Sequence, residues 1–162
     1  MDQNKALEEV AIRAARKALK EQESKKRTRN YQNTKKLMEN YNRICQSVEE
    51  GISDLSEMDN ADELGEFTEE DVFINSILKS KLRSIIMIAH IDKCLKLLEE
   101  EEYRKNTPEK YLAFKYYYLD GMKQDSIVEV LGATDRTMRR WITELTNILS
   151  VYLFGADAVL LD

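Results

Sequence analysis

The 162-residue sequence predicts an all-α protein, and three observations lead there. Glycine occurs five times and proline once, so few positions force a helix to stop. Apolar residues recur at three- and four-residue intervals along much of the chain, and no sustained stretch alternates apolar with polar residues as a half-buried strand would. Charged residues make up 34% against a usual quarter, and the apolar fraction is 43%, a balance that suits helices with one solvated face. The length is that of one domain with an extension.

Residues 1–48 form a basic helical N-terminal extension in this reading. Leu7, Val10, Ala11, Ala14 and Ala18 share one helical face, and most of them are alanine, which favours helix but buries little area. Arg13, Arg16, Lys17 and Lys20 occupy the other face, followed by Lys25, Lys26, Arg27 and Arg29. Two readings of this arm stand: it contacts phosphates beside a DNA site, or it is a solvated, fraying terminus with a basic bias. From residue 33 to 48 a firmer helix is expected, with Leu37, Tyr41, Ile44, Cys45 and Val48 on one face and Gly51 ending it. That helix packs either on the C-terminal body or on its copy in a second subunit.

Residues 49–71 hold 11 acidic residues and no lysine or arginine, together with Gly51, Ser53, Asn60 and Gly65. This composition reads as a flexible acidic linker. A sharper reading has it fold back over Arg136, Arg139 and Arg140 as a DNA mimic that inhibits binding there, against the commoner case of a solvated charge run.

Residues 72–162 are read as a helical body. Thr68 and the acidic residues after it supply a cap and a favourable first turn. Apolar positions then recur from Val72 to Leu98, and the stretch from Ile85 to Ile91 is apolar on most sides, so a buried central helix is expected, ending near Glu99 to Glu102. Pro108 suits the first turn of a further helix over 109–120, where Leu112, Phe114, Tyr116, Tyr117, Tyr118 and Leu119 lie nearly all round.

The most informative stretch is 123–149. Ile127, Val130 and Leu131 are expected on one face of a short helix, and Gly132 follows where a left-handed cap suits a residue without Cβ. Thr134 sits where it would N-cap a second helix, with Asp135 near its positive end. Met138, Trp141, Ile142, Leu145 and Leu149 then form one apolar stripe, which leaves Arg136, Arg140, Thr143 and Asn147 on the opposite face and Arg139 on its flank. This is the pattern of a helix-turn-helix. Arginine pairs with guanine edges or phosphates, asparagine with adenine and threonine with either, so a helix over 135–149 is expected to read a major groove. Lys123, Gln124 and Thr137 are the candidate phosphate anchors.

The stretch YLAFKYYYLDGMKQDSIVEVLGATDRTMRRWITELTNIL, residues 111–149, resembles region 4 of sigma-70 type factors, with an apolar helix, a glycine, a short helix, a Leu-Gly turn and a capped helix in that order. Val128 departs from that pattern, which normally places alanine there so that the two helices pack closely. More loosely, the frame of His90-Ile91-Asp92 ahead of the motif and Leu153-Phe154-Gly155 behind it resembles the ArpU-type late-gene transcriptional regulators of bacterial phages and prophages. The resemblance implies regulation of transcription from phage or prophage promoters, with RNA polymerase as a further candidate partner.

The net charge of −5 is unevenly distributed. Residues 1–48 carry +6, residues 49–71 carry −11, residues 72–110 carry +2 and residues 111–162 carry −2. DNA affinity follows the local field, so the acidic total weakens nonspecific binding without excluding a specific site.

Enzyme chemistry finds little support. His90 stands alone on an apolar helix, where a satisfied core or interface residue is the commoner outcome. Cys45 and Cys94 lack the paired spacing of a zinc or redox site, and no glycine-rich phosphate loop occurs. No cofactor and no metal are expected. The tyrosines at 116–118 would stack on bases in a single-strand binder, but at helical spacing they are more often core. No apolar run approaches the roughly 18 residues of a membrane span, and no signal-peptide core is visible, so a cytoplasmic protein with free thiols is expected. Double-stranded DNA is the expected partner, with a second copy of the chain as a candidate because many helix-turn-helix proteins match paired half-sites as dimers. The alternative function is a helical adaptor that binds RNA polymerase or a phage packaging component.

Overall fold

A computed structural model describes the backbone of residues 2–58 and 69–155, and within them the side chains of residues 8–50, 77 and 79–155. The described residues form six helices and no strand: α1 (Asp2–Glu39), α2 (Tyr41–Met58), α3 (Glu69–Arg104), α4 (Pro108–Tyr118), α5 (Gln124–Leu131) and α6 (Asp135–Phe154). No helix among them is long and apolar enough to cross a membrane.

The first 50 residues contain neither glycine nor proline, and up to residue 36 they are dominated by Ala, Lys, Arg, Glu and Gln, which lose little rotamer freedom in a helix. The separate helices expected at 7–18 and from residue 33 are therefore one rod. Its 38 residues span about 57 Å at 1.5 Å per residue. A single break at Asn40 divides what was expected as one helix over 33–48. The Asn40 side-chain amide donates to the Lys36 carbonyl oxygen at 2.8 Å, satisfying one acceptor of the last turn.

Two further expectations are corrected in α2 and α3. Helix α2 runs on through Gly51 to Met58, past the end expected at Gly51 and into the linker expected from residue 49. An interior glycine costs only about 1 kcal/mol relative to alanine, and in the sequence Ile52 and Leu55 continue the spacing of Ile44 and Val48, so the helical pattern does not stop there. Residues 59–68 lie outside the described residues, and with them the middle of the acidic segment, on which its DNA-mimic reading depends, and the Thr68 cap. Helix α3 ends at Arg104 and is one-sided rather than enclosed. Ile88, Ile91, Cys94, Leu95 and Leu98 are buried, whereas Leu82, Ile86 and Leu97 on the opposite face are 50%, 62% and 46% exposed. Its apolar residues outnumber the neighbours available to cover them. His90, expected in a core or interface, is exposed, with Nε2 3.9 Å from the Cys94 sulfur.

The core gathers at the C-terminal half of α3. Ile91, Leu95 and Leu98 meet Tyr111, Phe114 and Tyr118 of α4 and Met138, Leu145 and Leu149 of α6, with Ile127 from α5, Met38 from α1 and Val48 from α2 completing one cluster. Phe114 and Tyr118 stack tilted, ring centroids 4.9 Å apart, and Tyr117 meets Tyr118 edge-on at 4.8 Å, so the tyrosine run serves largely as packing. Burial pushes the Tyr118 hydroxyl up to a pKa of about 12. Each fully buried side chain of this size contributes about 1.5 to 3 kcal/mol of transfer free energy.

The α3–α4 corner is built by Asn106, whose φ of 61° lets Thr107 N–H donate back to the Glu102 carbonyl at 2.9 Å. Pro108 takes the first turn of α4 as expected. The Glu102 carboxylate is buried and accepts the Thr107 hydroxyl at 2.8 Å. Polar ties then fix the outer helices to this frame: the Tyr41 hydroxyl donates to Asp92 at 2.5 Å, the Asn42 amide to the Leu119 carbonyl at 2.8 Å and Lys110 to Glu144 at 2.7 Å.

Near the end of α6 the Tyr152 hydroxyl donates to Glu101 of α3, which also pairs with Lys105. Lys105 first, and Tyr152 second, hold the Glu101 carboxyl below its ordinary pKa. A carboxylate held down in this way contributes stability that is complete above its ordinary pKa and is lost as pH falls through the lowered one. Tyr152→Phe is therefore expected to reduce stability at neutral pH by about 1 kcal/mol. The variant should also lose less than the parent between neutral pH and about pH 3, as read from urea unfolding at the two pH values.

Candidate nucleic-acid interface

Helix α5 is eight residues long and rests on the core through Ile127, which is fully buried. The face expected from Ile127, Val130 and Leu131 is rotated in the fold. Val130 is 61% exposed, and Val128 takes its place against the core. At 100° per residue Val128 lies 60° from Leu131, whereas Val130 lies 100° from it, so the narrow contact of so short a helix includes the first and leaves out the second.

Gly132 closes α5 in the left-handed conformation, φ 60° and ψ 27°, and its N–H and that of Ala133 return to the carbonyls of Glu129 and Val128. Thr134 N-caps α6: its hydroxyl oxygen accepts from Thr137 N–H at 3.2 Å and the hydroxyl donates to Thr137 Oγ1 at 2.9 Å. Met138, Ile142, Leu145 and Leu149 are buried, along with Thr146 and Ser150, whose hydroxyls donate to carbonyls of the same helix. Trp141 is half-buried against the cluster. These contacts set the rotation of α6.

The solvent side of α6 carries Arg136, Arg140, Thr143 and Asn147, all exposed, in a row along the helix. Arg136 and Arg140 make no ion pair among the described residues. Arg139, on the flank, pairs with Asp135 at 3.0 Å and donates to Gln124 Oε1 at 3.3 Å. That exposed pair is worth a few tenths of a kcal/mol, so it positions the guanidinium more than it stabilises the fold. The Asn147 amide donates to the Thr143 carbonyl at 3.1 Å and leaves its own oxygen outside that bond.

The three expected phosphate anchors are dispersed around this row. Lys123 is exposed at the N-cap of α5 and makes no side-chain cap bond. Gln124 is half-buried and engaged with Arg139, and Thr137 is half-buried and engaged with the Thr134 cap. Both anchors thus support the α6 terminus as well as lying beside it.

A groove at the Arg139 flank brings in Tyr117, one of the tyrosines weighed above for base stacking, and two residues that the sequence reading missed, Tyr31 and Lys35. Tyr31 and Lys35 of α1 and Tyr117 of α4 line it together with Gln124, Arg139 and Thr143. The only local signal for the first two is their four-residue spacing in line with Met38, a pattern hidden among the charged residues of α1. Neither a family model, nor a curated protein, nor a solved structure matches the chain.

A Cβ added at Gly132 would meet nothing within 4 Å, so substitution there is opposed by the backbone conformation alone. Gly132→Ala is expected to destabilise the protein by about 1 to 2 kcal/mol, with Gly132→Asn costing less, as measured by thermal unfolding.

Proposed function

We propose that the chain is a sequence-specific double-stranded DNA-binding regulator of transcription, with α5, the turn at Gly132 and α6 acting as a helix-turn-helix and α6 entering the major groove. The observation that carries this reading is the row of Arg136, Arg140, Thr143 and Asn147, exposed on a helix whose opposite face is locked in the core. A groove-reading helix needs both properties: donors and acceptors facing the base edges, and a rotation that does not drift. The positive end of the α6 dipole and the three arginines in its first two turns add an attractive local field despite the acidic total charge.

In this reading Arg136 and Arg140 meet base edges, Arg139 lies toward one backbone strand, and Thr143 and Asn147 reach bases further along the groove. Lys123, Gln124 and Thr137 flank the phosphates. The resemblance of residues 111–149 to region 4 of sigma-70 type factors and the looser likeness to ArpU-type regulators supply the class of gene, phage or prophage, that such a protein would control. RNA polymerase is then a natural second partner.

One observation favours a protein-binding role besides this: the exposed row of Leu82, Ile86 and Leu97 on α3. If the chain were purely an adaptor, it would capture RNA polymerase or a packaging component and show no retention on heparin or promoter DNA.

Arg140→Ala is expected to cost about 1 to 3 kcal/mol at one preferred base pair if the guanidinium pairs bidentately with guanine. Binding is to be compared on a panel of single base-pair substitutions at fixed salt. Equal losses on every sequence would reassign Arg140 to the phosphates, and absence of any sequence preference in the parent protein would remove the reading.

A further inference from the structure

Helix α1 is one continuous element with two different surroundings. From Asn30 onward it packs on α6, with Asn30, Thr34 and Met38 buried and Tyr31 and Lys35 lining the groove beside Arg139 and Thr143. From Glu8 to Arg29 every residue is exposed, a stretch of 22 residues or about 33 Å of helix.

The direction of this exposed stretch is fixed by two contacts. Tyr31 and Lys35 are level with Arg139 and Thr143 in the first half of α6, while Leu37 and Asn40 share a second groove with Phe154 at its last residue. The two helices therefore run in the same sense. Followed toward its N-terminus, α1 passes the end of α6 that carries Arg136, Arg139 and Arg140, and continues for several turns.

Its rotation is fixed as well. Eighteen residues are five full turns of an α-helix, so side chains 18 apart point the same way. Arg13, Arg16, Lys17 and Lys20 stand 18 residues before Tyr31, Thr34, Lys35 and Met38 respectively, the residues that face α6 and its groove. Arg27 lies on the same side. The basic face of the arm thus looks to the side on which α6 lies, but beyond its N-terminal end, where a duplex seated on α6 would continue.

We propose that this face of α1 is a second binding surface for duplex DNA, in which Arg13, Arg16, Lys17 and Lys20 lie along the phosphates adjoining the segment contacted by α6, with Lys35 and Tyr31 bridging the two surfaces. The inference rests on the DNA-reading role of α6 and extends it. Arginine and lysine on a regular helix without base-reading partners contribute affinity and salt dependence and carry no sequence information. The arm lengthens the site without changing the sequence that α6 prefers. It also supplies the grip that a C-terminal region of charge −2 lacks.

The test compares the intact chain with a variant carrying Arg13→Gln, Arg16→Gln, Lys17→Gln and Lys20→Gln, glutamine being nearly as good a helix former as the residues it replaces. A control variant loses the same number of charges on the exposed face of α3, through Lys79→Gln, Arg83→Gln, Lys93→Gln and Lys96→Gln. Binding to the preferred duplex is measured over a range of monovalent salt, with a hydroxyl-radical footprint at low salt. For the arm variant the slope of log affinity against log salt should fall by about 3 to 4, at roughly 0.9 per phosphate contact. Affinity at low salt should drop more than tenfold, and the footprint should shorten by about one helical turn on one side, with base preferences unchanged. Unchanged slope and footprint in the arm variant, or an equal fall in the control, overturns the arm's role while leaving α6 as the reader. An intact chain with no preferred sequence overturns the reading of α6, and this inference with it.

Discussion

What α6 presents to solvent is decided by how its other side is packed. Four helices, α1, α3, α4 and α5, contact it, and Met138, Leu145 and Leu149 are fully buried among them. Rotating α6 by one residue position, 100°, would expose side chains of this cluster and bury arginine, each costing several kcal/mol through lost transfer energy and a desolvated charge. The row from Arg136 to Asn147 is therefore held in place by the hydrophobic core. The Thr134 cap and the Arg139 contacts with Asp135 and Gln124 refine the helix end, but at exposed positions their energies are small beside that packing.

The same core explains why α1 divides in two. Where the helix can reach α6, it buries Asn30, Thr34 and Met38; beyond that point its sequence offers mainly alanine and charged residues. Helix propensity favours the rod, yet a segment whose described residues are all exposed gains little from packing and rests largely on the modest free energy of an isolated helix. Of the large apolar residues exposed on the arm, Ile12 and Leu19, 46% and 58% exposed, share one face, while Val10, 64% exposed, stands on the far side, so no broad stripe of large apolar side chains forms. The aligned feature is instead the basic side in register with the α6-facing residues. Duplex DNA rewards an extended row of charges, whereas a protein partner would ask for a contiguous stripe of large apolar side chains.

How much of this was legible in the sequence depended on whether the deciding signal was local. Gly132, Thr134 and the spacing from Met138 to Leu149 each declare themselves within a few residues, so the turn, the cap and the solvent row of α6 were visible from the chain alone. Pro108 likewise marked the start of α4. The rotation of α5 was misjudged because Val128 and Val130 are alike in chemistry, and only the position of the neighbouring helices selects between them. Helix α3 was expected to be enclosed because its sequence is apolar nearly all round, but burial needs partners as well as apolar side chains. The continuity of α1 was hidden for the opposite reason: between the stripe at 7–18 and the one from residue 37, the chain is mostly Lys, Arg, Glu and Gln and has no apolar period to join them.

Tyr31 and Lys35 show why the candidate interface could not be completed from sequence. The basic run just ahead of them marks the arm as a whole but neither residue by itself, and their place beside Arg139 arises from a contact between chain segments more than a hundred residues apart. That contact converts a local property of α1, its charge, into a directional one. A basic segment on a flexible tether would raise the local field without orientation, and any duplex segment within reach would serve equally. A basic face carried on a rod that is clamped to α6 through Thr34 and Met38 instead has its azimuth set by the same core that sets the arginines of α6. In the proposed complex, a duplex seated on α6 would therefore meet the arm in a set orientation, so less ordering entropy would oppose the second contact.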